Sequence, residues 1–266
     1  MRAGRAWPVV LTTALLAVML ATPALRAQDA AADQNAAKAR AVLNQMVQAL
    51  GGERWLNMKN EMIRGQIAAF FQGKPDLGTT EVWQFHQWPD KDRMEATKHR
   101  DVVDFFIGNE GWEVTYRGKA PLPKDIVDGF LRRRAHSIET AVKVWMKDPK
   151  TILIYEGQHM ANRHMGDQVT LISANNEAVT ILADTQTHLP IEQSFQWRDP
   201  VYHDKNTETE DYTDYHMVDG LPAPFTISRT KNGDMTREFF VTQVEFNRTL
   251  PEDFWDVNAT ARRIKK

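Results

Sequence analysis

Residues 223–246 read APFTISRTKNGDMTREFFVTQVEF, two runs rich in β-branched and aromatic residues joined by Asn232-Gly233. Asn-Gly between such runs is a strong hairpin signal, because both residues accept the positive φ of a type I′ turn. The pair predicts antiparallel strands at 223–231 and 235–246. Working backward, similar segments at about 206–216, 189–197, 178–184, 167–173 and 151–165 continue the pattern, with Asn175-Asn176 as a second hairpin candidate. An earlier series occupies about 61–72, 79–88, 92–99, 102–108 and 111–117, where Asn109-Glu110-Gly111 reads as a tight turn with Gly111 supplying the positive φ.

Helices interrupt the strands. Pro123 opens one at 124–133, and Ser137 caps another running to Trp145 or Met146, with Pro149 beyond it. Their apolar residues, Ile126, Val127, Phe130 and Leu131, then Ile138, Ala141, Val142 and Trp145, fall at helical spacing. Ahead of all strands, Ala39, Val42, Leu43, Met46, Val47 and Leu50 predict a helix stopped by Gly51-Gly52. About a dozen strands with one leading helix and a helical insertion contradict alternating βαβ winding. The prediction is a mainly β fold with α: a strongly curved antiparallel sheet, or half-open barrel, with an N-terminal helix and an inserted helical lid.

Residues 1–27 place Arg2 and Arg5 before an apolar stretch from Val9 to Ala21, followed by Pro23 and small residues. That is the layout of a signal peptide. The stretch is shorter than the roughly 20 residues a bilayer requires, which argues against a transmembrane anchor. Cleavage after Ala24 or Ala27 would deliver an exported protein, periplasmic in a cell with two membranes. Residues 28–37 read as a flexible lead-in, 38–258 as one domain, and 259–266, with Arg262, Arg263, Lys265 and Lys266, as a basic tail facing solvent. Loss of Arg2, Arg5 and Arg26 takes the formal charge from −2 to −5, which disfavours nucleic acid as a partner. The 266 residues contain no cysteine, excluding disulfides, thiolate metal sites and cysteine nucleophiles.

Signals for catalysis are weak. His159 and His164 point to opposite faces of a strand, and His136 with Glu139 lacks the paired histidines of a helical zinc site. His203-Asp204, beside Tyr202, Glu208, Glu210, Asp211 and Asp214, offers a polar cluster, a weak cation site or the seat of a hydrolase, set against the plainer reading of a solvated segment. Asp90/Asp92 and Glu252/Asp253 suit turns better than acid/base pairs. No phosphate-cradling glycine loop and no G-x-S-x-G elbow is present. The expectation is a protein that is not an enzyme and needs no cofactor or metal.

Two stretches go further: Asp211-Tyr212-Thr213-Asp214-Tyr215-His216-Met217-Val218-Asp219-Gly220-Leu221-Pro222-Ala223-Pro224-Phe225, and Val244-Glu245-Phe246-Asn247-Arg248-Thr249-Leu250-Pro251-Glu252-Asp253-Phe254. They resemble the closing strands of the LolA-like, or outer-membrane lipoprotein-sorting, family of periplasmic carriers. The stretch Trp83-Gln84-Phe85-His86-Gln87-Trp88-Pro89-Asp90-Lys91-Asp92-Arg93 is similar to soil-bacterial members. Locally, Gly220 permits the turn, Asn247 can cap the chain's exit and Phe254 can plug the barrel end. The resemblance implies a half-open barrel whose concave apolar face, lidded by helices, receives acyl chains. Arg132, Arg133 and Arg134 lie where that family's lid latch would be sought, and nothing in the sequence selects one.

Strand parity groups Trp83 with Phe85, Phe105 with Ile107, Trp112 with Val114, and Phe195 with Trp197. Fully covered by helices, these residues would be ordinary core; partly covered, they would line a cavity for alkyl chains. With Phe130 and Trp145 from the helices they form the candidate ligand-binding set. The resulting expectation is an exported carrier or binding protein for a lipid or lipoprotein acyl chain, the helical insert acting as lid. The alternative is an envelope interaction or sensory module whose partner is a protein segment.

Overall fold

The two strand series become one sheet in the computed structural model, which describes residues 14–264. The first series is β1 (Asn60–Phe71), β2 (Lys74–Gln87), β3 (Lys91–Ala96), β4 (Val102–Ile107), β5 (Glu110–Thr115) and β6 (Gly118–Pro121). The second is β7 (Ile152–Ala161), β8 (His164–Ile172), β9 (Ala178–Asp184), β10 (Pro190–Arg198), β11 (Lys205–Val218), β12 (Leu221–Lys231) and β13 (Asp234–Phe246). Each series is an antiparallel meander, and β1 pairs with β13 to join them, so the 13 strands run from β6 through β1 and β13 to β7. The sheet is a half-open barrel, with β6 and β7 left as its edges.

Turn chemistry explains the hairpins. Asn232 and Gly233 both take positive φ, 54° and 88°, as the type I′ turn requires. The β4–β5 turn departs from expectation: Gly108, not Gly111, carries the positive φ, at 59°. Gly111 serves close approach instead, because a Cβ there would come within 2.5 Å of Val127 Cγ2 on the helix above.

The helices are α1 (Ala14–Ala49), α2 (Glu53–Leu56), α3 (Lys124–Ala135), α4 (Ile138–Lys143), a 3₁₀ turn at Trp145–Lys147, and α5 (Val257–Ile264). Ser137 caps α4 as anticipated, its Oγ accepting from Thr140 N at 3.1 Å. Cross-strand partners define an inner face: Leu153, Leu171, Val179 and Phe195 follow one another from β7 to β10, and Glu208 on β11 continues the row. α1 and α4 fill the β7–β9 end of this face, with Ala39, Leu43, Met46 and Ala141 packed on Leu171 and Ile181. Leu43 and Met46 are at most 1% exposed, and each such side chain contributes about 1.5–3 kcal/mol of burial free energy.

The expected leader falls partly outside the described residues, and its described part, from Ala14, belongs to α1. Residues 28–37 are also helical rather than a separate lead-in. Asn35 holds them to the sheet: its Nδ2 donates to Tyr155 O and its Oδ1 accepts from Tyr155 N, both at 2.8 Å. The amide thus occupies both backbone bonds of Tyr155 on edge strand β7, as a neighbouring strand would.

The C-terminal residues require a correction. Residues 257–264 form α5, which packs Val257, Ala261 and Ile264 against Val103, Phe105 and Val114, with Ala259 and Thr260 buried. Phe254 also lies over this outer face, edge-on to Phe85 with centroids 4.8 Å apart, instead of plugging an end. Asn247 does secure the exit: its N donates to Asn60 O and its Oδ1 accepts from Lys59 N.

Candidate functional site

Register carries the inner face onto the first series as well. Ile63 stands beside Gln84, Gln84 beside Met94, and Met94 beside Asp104; Glu61, His86, Asp92 and Phe106 make the adjoining row. α3 crosses above these rows, and a cavity of about 390 Å³ lies between helix and sheet. This volume falls within the range of small-ligand pockets. Ile63, Met94, Phe106, Ile126 and Phe130 supply its apolar lining, with the rings of Phe106 and Phe130 stacked at 3.7 Å and 6°.

α3 is held mainly by polar side chains. Gly129 is its buried residue. Arg134 Nη1 donates to Asp90 O at 3.0 Å and to Asp92 Oδ2 at 3.2 Å, while Nη2 donates to Gly108 O. One guanidinium thus joins the helix to two turns. Arg133 lies 3.4 Å from Glu208 on the opposite half of the sheet, and Arg132 covers the Trp197 ring at 3.5 Å. At the α3–α4 junction, Gln193 Nε2 donates to His136 O and its Oε1 accepts from Ile138 N.

The cavity lining is charged as well as apolar, with a different set of charged groups at each end. At the β1–β4 end, His86 Nδ1 lies 2.7 Å from Asp92, and its Nε2 lies 3.1 Å from Glu139 Oε2 without hydrogen-bond alignment. Burial opposes the imidazolium, but Asp92 and Glu139 hold His86 up to about 10. Burial likewise opposes ionisation of Glu139, which His86 and Lys143 nevertheless draw down to about 2. Burial and the Glu139 charge push Glu61 up to about 7, and burial with Glu113 raises Asp104 to about 6. At the β11–β13 end stand Arg133, Arg229 and Arg237 with Glu210.

The ten residues expected to bind ligand are divided between two faces. Trp83, Phe85, Phe105, Ile107, Trp112 and Val114 share the parity anticipated for them, but their row is the outer one, opposite His86, Asp104 and Phe106. There, α5, Phe254 and Trp255 cover them as packed core, although Phe85 also borders the cavity. Phe130 lines the cavity. Trp145 joins the α1 core, Phe195 stacks on His136 at 4.5 Å, and Trp197 sits beneath Arg132. The charged inner residues, unremarkable as sequence, are what the fold brings together. The His203-Asp204 cluster is split: His203 lies in an exposed turn, and Glu208 and Glu210 turn inward.

Three solved structures share the overall fold. An outer membrane lipoprotein-sorting protein domain from Vibrio parahaemolyticus superposes with TM-score 0.54 and 10% identity, covering 84% of this chain and 100% of its own. A LolA superfamily protein from Nitrosomonas europaea gives 0.51 and 11%, covering 82% and 96%. A DUF1329 family protein from Desulfovibrio piger gives 0.58 and 7%, covering 85% and 99%. Neither a protein-family model nor a curated protein sequence matches the chain. At such identities the likeness is one of fold: the chain has the LolA-like fold.

Proposed function

We propose that this protein is an exported, non-catalytic carrier or binding protein for a lipid or lipoprotein acyl chain, held between the curved sheet and α3. The supporting observation is the apolar band of Ile63, Met94, Phe106, Ile126 and Phe130, which lines the 390 Å³ cavity between sheet and helix. Apolar burial at about 25 cal/mol per Å² is sufficient to retain a single hydrocarbon chain there. α3 is the lid, because few of its apolar atoms are committed to the core and most of its ties are polar. The leader-like N-terminus supports delivery to the periplasm, where a carrier would meet such cargo.

The test is native mass spectrometry with lipid extraction on protein purified from its own periplasm, followed by titration with a fluorescent fatty-acyl probe. Bound lipid, or probe binding weakened in Phe130→Asp, is expected. Protein that emerges empty and leaves the probe in solution overturns the proposal.

A further inference from the structure

Arg229 and Arg237 are cross-strand partners on β12 and β13, both facing the cavity. Like charges directly opposite one another destabilise a sheet unless counter-charge is supplied. The protein supplies only part of it. Glu210, opposite Arg229 on β11, accepts from Arg229 Nε at 2.9 Å and Nη2 at 2.5 Å, and its other oxygen accepts from Tyr212. Glu208 accepts from Trp197 Nε1 at 3.0 Å and lies 3.4 Å from Arg133.

Arg237 has no comparable partner among the described residues. Its Nε is buried without a hydrogen bond, and its guanidinium rests over the Phe239 ring at 5.1 Å. Burial and the Arg229 charge lower its pKa to about 9; burial and the same neighbour lower that of Arg133. Two carboxylates therefore face three arginines in a partly enclosed recess, where Arg229 is 19% and Arg133 29% exposed. A buried cation without a partner is costly, and an anionic ligand removes that cost.

We infer that Arg133, Arg229 and Arg237 receive the anionic end of the bound amphiphile, a carboxylate or phosphate, while its hydrocarbon runs toward Met94, Phe106 and Phe130. This rests on the carrier reading and specifies the ligand's chemistry: one chain with an acidic head. The opposite end of the cavity fits the same orientation, since its cations His86, Arg134 and Lys143 are already paired with Asp92 or Glu139.

The experiment compares binding of dodecanoate, dodecyl phosphate, dodecanol and inorganic phosphate by the mature chain and by Arg237→Gln, with thermal melts to establish that each is folded. Charged hydrogen bonds in a recess are worth about tenfold or more in affinity. Both acidic dodecyl compounds should bind at least about tenfold more tightly than dodecanol, and Arg237→Gln should lose most of that preference while keeping dodecanol affinity within about twofold. If Arg237→Gln is unstable, Arg133→Gln replaces it, since that arginine sits on the helix. Dodecanol binding with no preference for acidic heads overturns the anion site and leaves the carrier reading standing. Phosphate binding with no dodecyl compound bound overturns the carrier reading and this inference's assignment of a lipid head, identifying a site for free anions.

Discussion

Replacing Arg134 with alanine tests whether α3 is clamped by one side chain. The guanidinium is 15% exposed and reaches Asp90 O in the β2–β3 turn, Asp92 Oδ2 at the start of β3 and Gly108 O in the β4–β5 turn. Hydrogen bonds to a charged group are worth about 1.5–3 kcal/mol each, and they do not add when one group makes them all. Breaking a fully buried pair costs about 3–5 kcal/mol, an upper bound because Asp92 retains His86 as its partner. The expected loss is about 2–3 kcal/mol, or about 5–10 °C in Tm for a chain of this length. Urea titration measures the global loss, and hydrogen exchange across 124–135 measures the local one, expected to quicken by tens-fold. Arg134→Lys should recover less than half of it, since a single ammonium cannot span two turns. A loss below about 0.5 kcal/mol with unchanged exchange in α3 would refute the clamp.

Other consequences are equally open to measurement. Asp92 and Glu139 raise His86 from 6.5 to about 10 in the fold despite burial, so its stabilisation is complete below pH 6.5 and disappears as pH climbs toward 10. The stability gap between wild type and His86→Gln should therefore narrow between pH 6.5 and 9.5 in urea melts, and a gap independent of pH contradicts the assignment. Asn35→Ala should cost about 1–3 kcal/mol by leaving Tyr155 N–H and C=O without their partner. It should also increase self-association through β7 in analytical ultracentrifugation; a strictly monomeric variant of unchanged stability argues against the edge-capping role. Phe130→Ala removes the stack on Phe106 and should weaken acyl-probe binding by about tenfold while lowering stability by no more than about 1.5 kcal/mol beyond the lost burial. Equal probe affinity in the two proteins would place the chain elsewhere.

Much of the fold can be read from local chemistry. Asn232-Gly233 dictates a type I′ turn, Ser137 is a helix cap, and the alternation of Trp83 with Phe85 and of Phe105 with Ile107 gives the correct parity. Alternation, however, separates two faces without saying which one looks into the barrel. Here both faces carry aromatic residues, and the richer one is covered by α5. That helix is hard to foresee because Val257, Ala261 and Ile264 are sparse among polar residues and two arginines. The cavity wall is harder still. Glu210, Arg229 and Arg237 lie on three strands and read individually as solvated positions; their grouping depends on the β11–β12–β13 register.

The pairing of β1 with β13 joins residues as far apart as Glu61 and Phe246. A chain that emerges from its N-terminus must therefore present β1 as an open rim until nearly all of it has been delivered, and the entropy of closing so long a loop slows the joining step. The main core waits as well, because α1 packs on β7–β9 and not on the strands that immediately follow it. Ending the chain before β13 would not trim the sheet by one strand at its margin. It would cut the sheet in two through the middle.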